Sequence, residues 1–340
     1  MGFARRLTKL ASETAVYGIS SIVGRMIGYL LVPFYTWYFT PDRYGVVLAV
    51  YAAFVFLNIL YTYGMEAAYL RFAGGSRESE SPSEPNGTDE KPGGSASGGS
   101  DGSAGSKSRD EGDYRVTDVF STATWSLLLT SALLTAGLVL FRDQWAALIS
   151  LEPRWSHLLL YAAGIVVLDT MVVVPFAELR LQNRPWRFAA IRIAGIVANV
   201  ALNVGLIAGA GWGVEAVFLA NVGSSGLVFL LHLPLYAEKL AARYDGTLHR
   251  QLLRFGLPFL PSGLGFAMTE VVNRTYIGRM TRERVLELYG GMIRPADLEQ
   301  LARQASEAGG AYGQYMMGVF GAMLKIGVFM MLVGQMFRFA

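Results

Sequence analysis

Seven charged side chains lie at least one helical turn inside stretches of the sequence that are otherwise apolar: Arg25, Glu66, Asp169, Arg192, Glu270, Arg274 and Lys325. A charge placed in hydrocarbon costs several kcal/mol, so each of these residues needs a structural or functional reason to be there. Arginine suits an anion such as a diphosphate, because its planar fork donates paired hydrogen bonds and stays charged. The carboxylates suit charge partners or groups that couple an ion.

The three carboxylates differ in their local surroundings. Glu270 precedes Arg274 by four residues, the favourable order for an ion pair within a helix, and such a pair lowers the membrane cost of both. Asp169 has no cation within four residues, so it is either protonated or paired across helices, which makes it a candidate ion-coupling group. Glu66 lies near the end of its apolar stretch, where an interfacial ion pair with Arg71 is the simpler interpretation.

Other polar residues of the apolar stretches receive structural interpretations. Glu178 and Arg180 lie at the end of such a stretch and are interpreted as boundary residues. Asn199, Asn203 and Asn221 are predicted to form hydrogen bonds between helices rather than to contact a ligand.

The composition favours a membrane protein and excludes several kinds of site. Of 340 residues, 53% are hydrophobic and 16% charged, whereas soluble domains carry about 25% charged residues. There is no cysteine, and His157, His232 and His249 lack metal-ligand spacing, so no metal or cofactor is predicted. Basic residues occur at the ends of apolar stretches rather than in one patch, so nucleic acid is not a predicted partner.

Apolar stretches long enough to cross a membrane occur eight times, since about 20 helical residues cross the hydrocarbon core. The predicted spans are about 15–39, 46–73, 116–141, 156–179, 187–210, 213–236, 252–278 and 312–338. Kinks are predicted at Pro33, Pro175, Pro258 and Pro261. The sequence therefore predicts an all-α integral membrane protein, a polytopic helix bundle.

The loops between these spans predict the orientation of the bundle. Lys and Arg concentrate at 5–9, 180–187 and 239–254, which share one side of the membrane if the N-terminus is cytoplasmic. Residues 76–113 carry nine acidic and four basic residues and no aromatic, Val, Leu, Ile or Met residue, which predicts a disordered cytoplasmic loop. The loop at 279–311 carries charges of both signs and is predicted on the other side.

Four stretches resemble bacterial polysaccharide-biosynthesis membrane proteins. They are ETAVYGISSIVGRMIGYLLVPFYTWYFTPDRYG, VVPFAELRLQNRPWRFA, LLRFGLPFLPSGLGF and AYGQYMMGVFGAMLKIGVFMMLVGQMFRFA. The resemblance is to the O-antigen, or lipid-linked oligosaccharide, flippases of the multidrug/oligosaccharidyl-lipid/polysaccharide exporter superfamily. It implies a two-lobed transporter fold of fourteen transmembrane helices, of which this chain is expected to contain about eight, as a C-terminally truncated member.

The resemblance also implies a domain organisation. The expected parts are an N-terminal lobe at 1–237, a cytoplasmic linker at 238–251 and the start of a C-terminal lobe at 252–340. The sequence departs from the family in a longer loop at 279–311 and in Asn273, where the family has an aspartate before the arginine. Glu270, one turn earlier, is expected to replace that aspartate as the partner of Arg274.

By resemblance, the protein is expected to flip an undecaprenyl-diphosphate-linked oligosaccharide across the bacterial plasma (inner) membrane by alternating access. The implied partners are this lipid, membrane lipids and other polysaccharide assembly proteins, and the protein is predicted not to be an enzyme. The implied substrate-binding cations of the cavity are Arg25, Arg274, Lys325 and Arg192, and the implied ion-coupling groups or charge partners are Asp169, Glu270 and Glu66.

Two other functions stay open on the sequence. A cation-coupled drug or metabolite exporter of the same superfamily would favour carboxylates over cations in its cavity. A membrane polysaccharide polymerase or ligase would need a large extracytoplasmic loop, and 279–311 contains arginines and carboxylates but no histidine and no paired-acid motif. The glycan, the lipid carrier, the coupling ion and the oligomeric state are not specified by the sequence.

Overall fold

A computed structural model describes residues 31–80, 114–149, 151–279 and 315–325, together with isolated positions between 281 and 303. Arg25 and the larger part of the predicted cytoplasmic loop lie outside these residues. Glu270 and Arg274 lie on a described helix, but their side chains are outside the description, so the roles assigned to these three residues stay predictions. The described residues are mostly helical, and none of them is in a strand.

The helices are numbered α1 to α12 along the described residues. Residues 31–38 belong to α1, and residues 315–325 form α12. Between them lie α2 (Pro41–Thr62), α3 (Met65–Glu80), α4 (Val116–Leu140), α5 (Arg142–Leu148), α6 (Leu158–Met171), α7 (Val173–Leu181), α8 (Pro185–Asn203), α9 (Glu215–Lys239), α10 (Gly246–Gly256) and α11 (Phe259–Gly278). A 3-10 turn at Pro153–Trp155 precedes α6, and a π-helical segment at Val204–Gly209 extends α8.

Five segments of the described residues are long and apolar enough to cross a membrane: Pro41–Arg77, Val116–Leu140, Pro153–Leu181, Pro185–Gly209 and Glu215–Lys239. They correspond to the second to sixth predicted spans, with ends that differ by only a few residues. The predicted all-α, polytopic membrane fold is confirmed. The predicted span at 252–278 consists of two helices, α10 and α11, and the first and last predicted spans are described only in part.

The membrane segment Pro41–Arg77 is broken where α2 meets α3. Tyr63 and Gly64 have positive φ angles of 30° and 75°, which end α2 and redirect the chain. A Cβ atom at Gly64 would lie 2.4 Å from the carbonyl oxygen of Gly256, so the end of α10 packs directly on the break. The sequence predicts one continuous span at 46–73, and the structure differs because glycine permits both this conformation and this contact.

The membrane segment Pro153–Leu181 is broken at Val172, between α6 and α7. Pro175 has no backbone N–H, and its ring excludes a helical bond to the carbonyl of Met171, four residues earlier. The hydroxyl of Tyr236 on α9 donates a hydrogen bond to that carbonyl instead. The break predicted at Pro175 is therefore present, and a neighbouring helix satisfies the freed carbonyl group.

Two buried apolar clusters lie towards opposite ends of the bundle. One contains residues of α2, α6 and α9, and the other contains residues of α3, α4, α7 and α10. Arg77, Arg180 and Lys239 lie at the end with the second cluster, together with α10, and we call this the basic end. The close approach of α8 to α9 depends on Gly195, where a Cβ atom would lie 2.5 Å from Cγ2 of Val228.

Candidate functional site

A cavity of about 700 Å³ lies between α1, α2, α3, α6, α7, α8, α9 and α12. Its charged lining residues are Glu66, Asp169, Arg180, Arg192 and Lys325. Four of these were predicted as site residues from the sequence. They come from the second, fourth, fifth and eighth predicted spans, so the fold brings together charges that are distant along the chain.

Helical spacing explains why these side chains share one cavity. The lining residues of α6 and α7, with the junction between them, are Asp169, Val172, Val173, Phe176 and Arg180. Apart from the adjacent Val172 and Val173, they recur every three or four residues and therefore share one side of the segment, and the separation of eleven residues between Asp169 and Arg180 corresponds to about three turns. The same spacing occurs in the lining residues of α8 and α9, which are Phe188, Arg192, Gly195, Ile196, Asn199, Asn221, Ser224, Ser225 and Val228.

Two arginines of the cavity stack on one buried aromatic ring. The Cζ atom of Arg192 lies 5.4 Å from the ring centroid of Phe176 and 6.0 Å from that of Phe188. The Cζ atom of Arg180 lies 5.6 Å from the ring centroid of Phe188. Stacking of this kind attracts both cations to the ring faces and holds them in the same part of the lining. We call Arg180, Arg192 and Phe188 the arginine wall.

Lys325 reaches the cavity from α12. Its Nζ atom lies 5.8 Å from the ring centroid of Tyr51 and 6.0 Å from that of Tyr44, both on α2. The two helices approach closely because Gly318 has no side chain: a Cβ atom there would lie 1.9 Å from the carbonyl oxygen of Pro41. The contact of α12 with α2 therefore sets the position of the third cavity cation.

The two carboxylates of the cavity have different partners. Glu66 forms an ion pair with Arg180, and Asp169 Oδ1 accepts a hydrogen bond of 2.7 Å from the hydroxyl of Ser225 on α9. The sequence suggests an interfacial pair of Glu66 with Arg71, whereas the structure pairs Glu66 with a cation inside the cavity. Asp169 is therefore held by a neighbouring helix, and its ion-coupling role stays a prediction.

Hydrogen-bonded amides connect α1, α2, α8 and α9. Asn203 accepts a hydrogen bond from the hydroxyl of Tyr35 at 2.9 Å and donates to Asn199 Oδ1 at 3.1 Å. Asn199 donates to Asn221 Oδ1 at 3.2 Å, and Asn221 donates to the hydroxyl of Tyr51 at 2.8 Å. The predicted hydrogen bonds between helices are therefore present. Asn199 and Asn221 also line the cavity, where such groups can exchange hydrogen bonds with ligand hydroxyl groups.

The lining carries more positive than negative charge. Among the lining residues that the structure describes, three cations face two carboxylates. Low-dielectric walls focus the field of such charges and raise the local concentration of ligands of opposite sign. The cavity therefore favours an anionic ligand over a cationic one.

Arg180 is the charged lining residue that sequence reasoning misses. It lies at the end of the predicted fourth span, where a boundary role is the simpler interpretation. Its separation from Asp169 by about three helical turns is the signal that places both residues on one face. Phe188 gives no comparable signal, because an apolar ring in a membrane helix is ordinary.

Glu178 lies outside the cavity lining, at the basic end of the bundle. Its side chain is fully buried and accepts hydrogen bonds from Tyr69 at 2.6 Å, Arg77 at 2.6 Å and Gln182 at 2.7 Å. Lys239 Nζ lies 3.0 Å from the same carboxylate, which therefore joins α3, α7 and α9. Arg77 belongs to the segment predicted to be disordered, but α3 continues through it and the ion pair holds it in place.

Residues 111–296, more than half of the chain, match a family model described as polysaccharide biosynthesis protein. The chain belongs to the polysaccharide biosynthesis protein family. The matched region extends from before α4 to beyond α11 and includes Asp169, Arg180 and Arg192. No curated protein and no solved structure matches the chain. The resemblance seen in the sequence is thereby confirmed at the level of the family, for a multi-pass helical membrane protein.

Proposed function

We propose that this polysaccharide biosynthesis protein translocates an oligosaccharide linked to a lipid diphosphate, such as undecaprenyl diphosphate, across the bacterial plasma membrane. The observation that carries the proposal is the cavity within the membrane bundle, which combines the arginine wall with asparagine side chains. Membership of the family relates the chain to polysaccharide biosynthesis or export, and the flipping step is what we add.

The arginine wall is the proposed site of the diphosphate. The guanidinium groups of Arg180 and Arg192 can each donate paired hydrogen bonds to phosphate oxygens, and they stay charged in a low-dielectric environment. Lys325 adds a third positive charge from α12. Asn199 and Asn221 then lie where hydrogen bonds to sugar hydroxyls are available, and the lipid tail stays in the bilayer.

Movement of two lobes is the proposed mechanism of transport. The arginine wall belongs to the proposed first lobe, whereas Lys325 belongs to the second, so rocking of one lobe against the other changes the width of the cavity. The contact of Lys325 with the rings of Tyr44 and Tyr51 closes in one state and opens in the other. Asp169 is the proposed ion-coupling group, because it is a carboxylate that faces the cavity.

The basic end of the bundle is proposed to face the cytoplasm. Arg77, Arg180 and Lys239 lie at this end, and Arg250 and Arg254 are exposed on α10. An excess of Lys and Arg on one side of a membrane bundle marks the cytoplasmic side. With the predicted first span crossing the membrane, the N-terminus is proposed to be cytoplasmic, since α1 and α2 meet at the opposite end.

The alternative functions have less support from the cavity. A cation-coupled drug exporter would need a surplus of carboxylates, and the lining has a surplus of cations. A polymerase or ligase would need carboxylates that are available for acid–base chemistry, whereas Glu66 is held in an ion pair with Arg180 and Asp169 accepts a hydrogen bond from Ser225. We therefore propose that the protein makes and breaks no covalent bond.

Replacing Arg192 by Gln is expected to lower glycan export about tenfold, because a hydrogen bond to a charged group is worth about 1.5–3 kcal/mol. The measurement is surface glycan and retained lipid-linked precursor in cells whose own flippase is deleted, at matched protein levels. Arg154→Gln is the control, since Arg154 pairs with Glu152 outside the cavity lining. Unchanged export by the Arg192 variant would contradict the proposal.

A further inference from the structure

Arg180 is held in the cavity by an ion pair that is accessible to solvent. The side chain of Arg180 is 37% exposed and that of Glu66 is 44% exposed. Exposed ion pairs contribute little net stability, because water and salt screen the attraction and both side chains lose freedom. The pair can therefore be exchanged for another at small cost, unlike the fully buried carboxylate of Glu178.

The guanidinium of Arg180 is also incompletely satisfied. One of its terminal nitrogens, Nη2, donates to Glu66, whereas its buried Nε–H has no hydrogen-bond partner among the described residues. Buried polar groups are nearly always hydrogen-bonded, so this N–H is available to an acceptor on a ligand in the cavity. A phosphate group can accept from Nε and a terminal nitrogen together, in the bidentate geometry that suits arginine.

The surroundings of the pair allow Glu66 to move more easily than Arg180. Glu66 is the second residue of α3 and directly follows the break at Tyr63 and Gly64. Arg180 lies two residues after Glu178, whose bonds to Arg77 and other donors fix the end of α7. Arg180 also stacks on Phe188. The cation therefore has a fixed position, and the carboxylate is the partner that leaves.

We infer that Glu66 occupies the phosphate-binding edge of Arg180 until a phosphate group of the ligand displaces it. This inference rests on the proposed function and deepens it, because it gives Glu66 the role of an internal competitor for one cation of the arginine wall. Displacement couples binding to a change at the start of α3, since the released Glu66 no longer ties this end of α3 to α7, whereas Arg77 still holds the other end through Glu178. Selectivity for phosphate over weaker anions follows, because only a strong acceptor replaces a carboxylate.

Binding of farnesyl diphosphate to the purified full chain in nanodiscs tests this inference. Glu66→Gln removes the competitor and is expected to tighten Kd at least fivefold, whereas Arg180→Gln is expected to weaken it by a similar factor. In the Arg180→Gln background, Glu66→Gln is expected to have no further effect, because its effect acts through Arg180. Arg180→Lys keeps the charge without the fork and is expected to give intermediate affinity.

Two controls separate displacement from general electrostatics. Asp169→Asn removes a negative charge from the same cavity at a site away from Arg180, and a smaller gain than that of Glu66→Gln is expected. Glu152→Gln breaks the ion pair with Arg154 outside the cavity lining, and unchanged affinity is expected. Both variants receive the same farnesyl diphosphate titration.

The outcomes distinguish this inference from the proposed function. Affinity that is unchanged by Glu66→Gln, or tightened equally with and without Arg180, would overturn the displacement of Glu66. If the displacement of Glu66 were overturned but Arg192→Gln abolished the binding of farnesyl diphosphate, the cavity would remain the proposed phosphate site. A wild-type chain that does not bind farnesyl diphosphate would overturn the proposed function itself. If Arg180→Gln does not fold, the affinity of the Glu66→Gln variant for farnesyl diphosphate tests the displacement on its own.

Discussion

Replacing Glu178 by Gln is expected to lower the free energy of unfolding by about 3 kcal/mol, the size observed when one partner of a buried ion pair is removed. The carboxylate is fully buried, and Arg77 lies 2.6 Å and Lys239 3.0 Å from it. A neutral amide leaves two cations without compensation in an environment where unpaired charge is costly. Since the donors lie on α3 and α9, the substitution also weakens the junction of three membrane helices.

The measurement is unfolding of the purified protein by dodecyl sulfate in mixed micelles, followed by tryptophan fluorescence. Glu66→Gln is the matched control, because it makes the same chemical change in an ion pair that solvent reaches, and a loss below about 1 kcal/mol is expected. Equal effects of the two variants would show that the Glu178 network does not hold the bundle together.

Replacing Gly318 by Ala is expected to reduce transport about tenfold. The added Cβ atom would lie 1.9 Å from the carbonyl oxygen of Pro41, so α12 must move away from α2. Overpacking of this kind costs about 2 kcal/mol, and a penalty above about 1.4 kcal/mol reduces the population of a state more than tenfold. The shift also removes Lys325 from the rings of Tyr44 and Tyr51, which the transport cycle is proposed to use.

Glycan export per folded molecule is the measurement, with folded protein quantified by size-exclusion chromatography. Gly137→Ala on α4 is the control, since a Cβ atom there meets nothing within 4 Å and alanine favours the helix. Export by the Gly318 variant that equals that of the Gly137 variant would show that close contact of α12 with α2 is not needed.

The membrane spans were predictable from the sequence because the length of an apolar run directly sets the length of a span. The predicted span at 116–141 and the observed helix Val116–Leu140 differ at one end by a single residue. The break beside Pro175 was also predictable from local sequence, since proline disrupts the helix in which it lies. The break at Gly64 was not, because it depends on Gly256, a residue far along the chain.

The candidate site was predictable where a charge stands out from apolar neighbours. Asp169, Arg192 and Lys325 are conspicuous for this reason, and all three line the cavity. Arg180 and Arg77 were not, because charges near the ends of spans are common and carry no signal of their own. Their roles depend on partners in distant segments, Glu66 for Arg180 and Glu178 for Arg77, and only the packing of the helices brings these together.

Translocation of a fluorescent undecaprenyl-diphosphate-linked oligosaccharide in proteoliposomes tests the central claim most directly. A membrane-impermeant quencher of the label reports how much lipid has crossed to the inner leaflet. The wild-type chain is expected to move the lipid at least tenfold faster than vesicles without protein, and the variant with both Arg192→Gln and Lys325→Gln is expected to match empty vesicles. A wild-type rate equal to that of empty vesicles, or a double variant as fast as the wild type, would contradict the assignment of the cavity as the transport site.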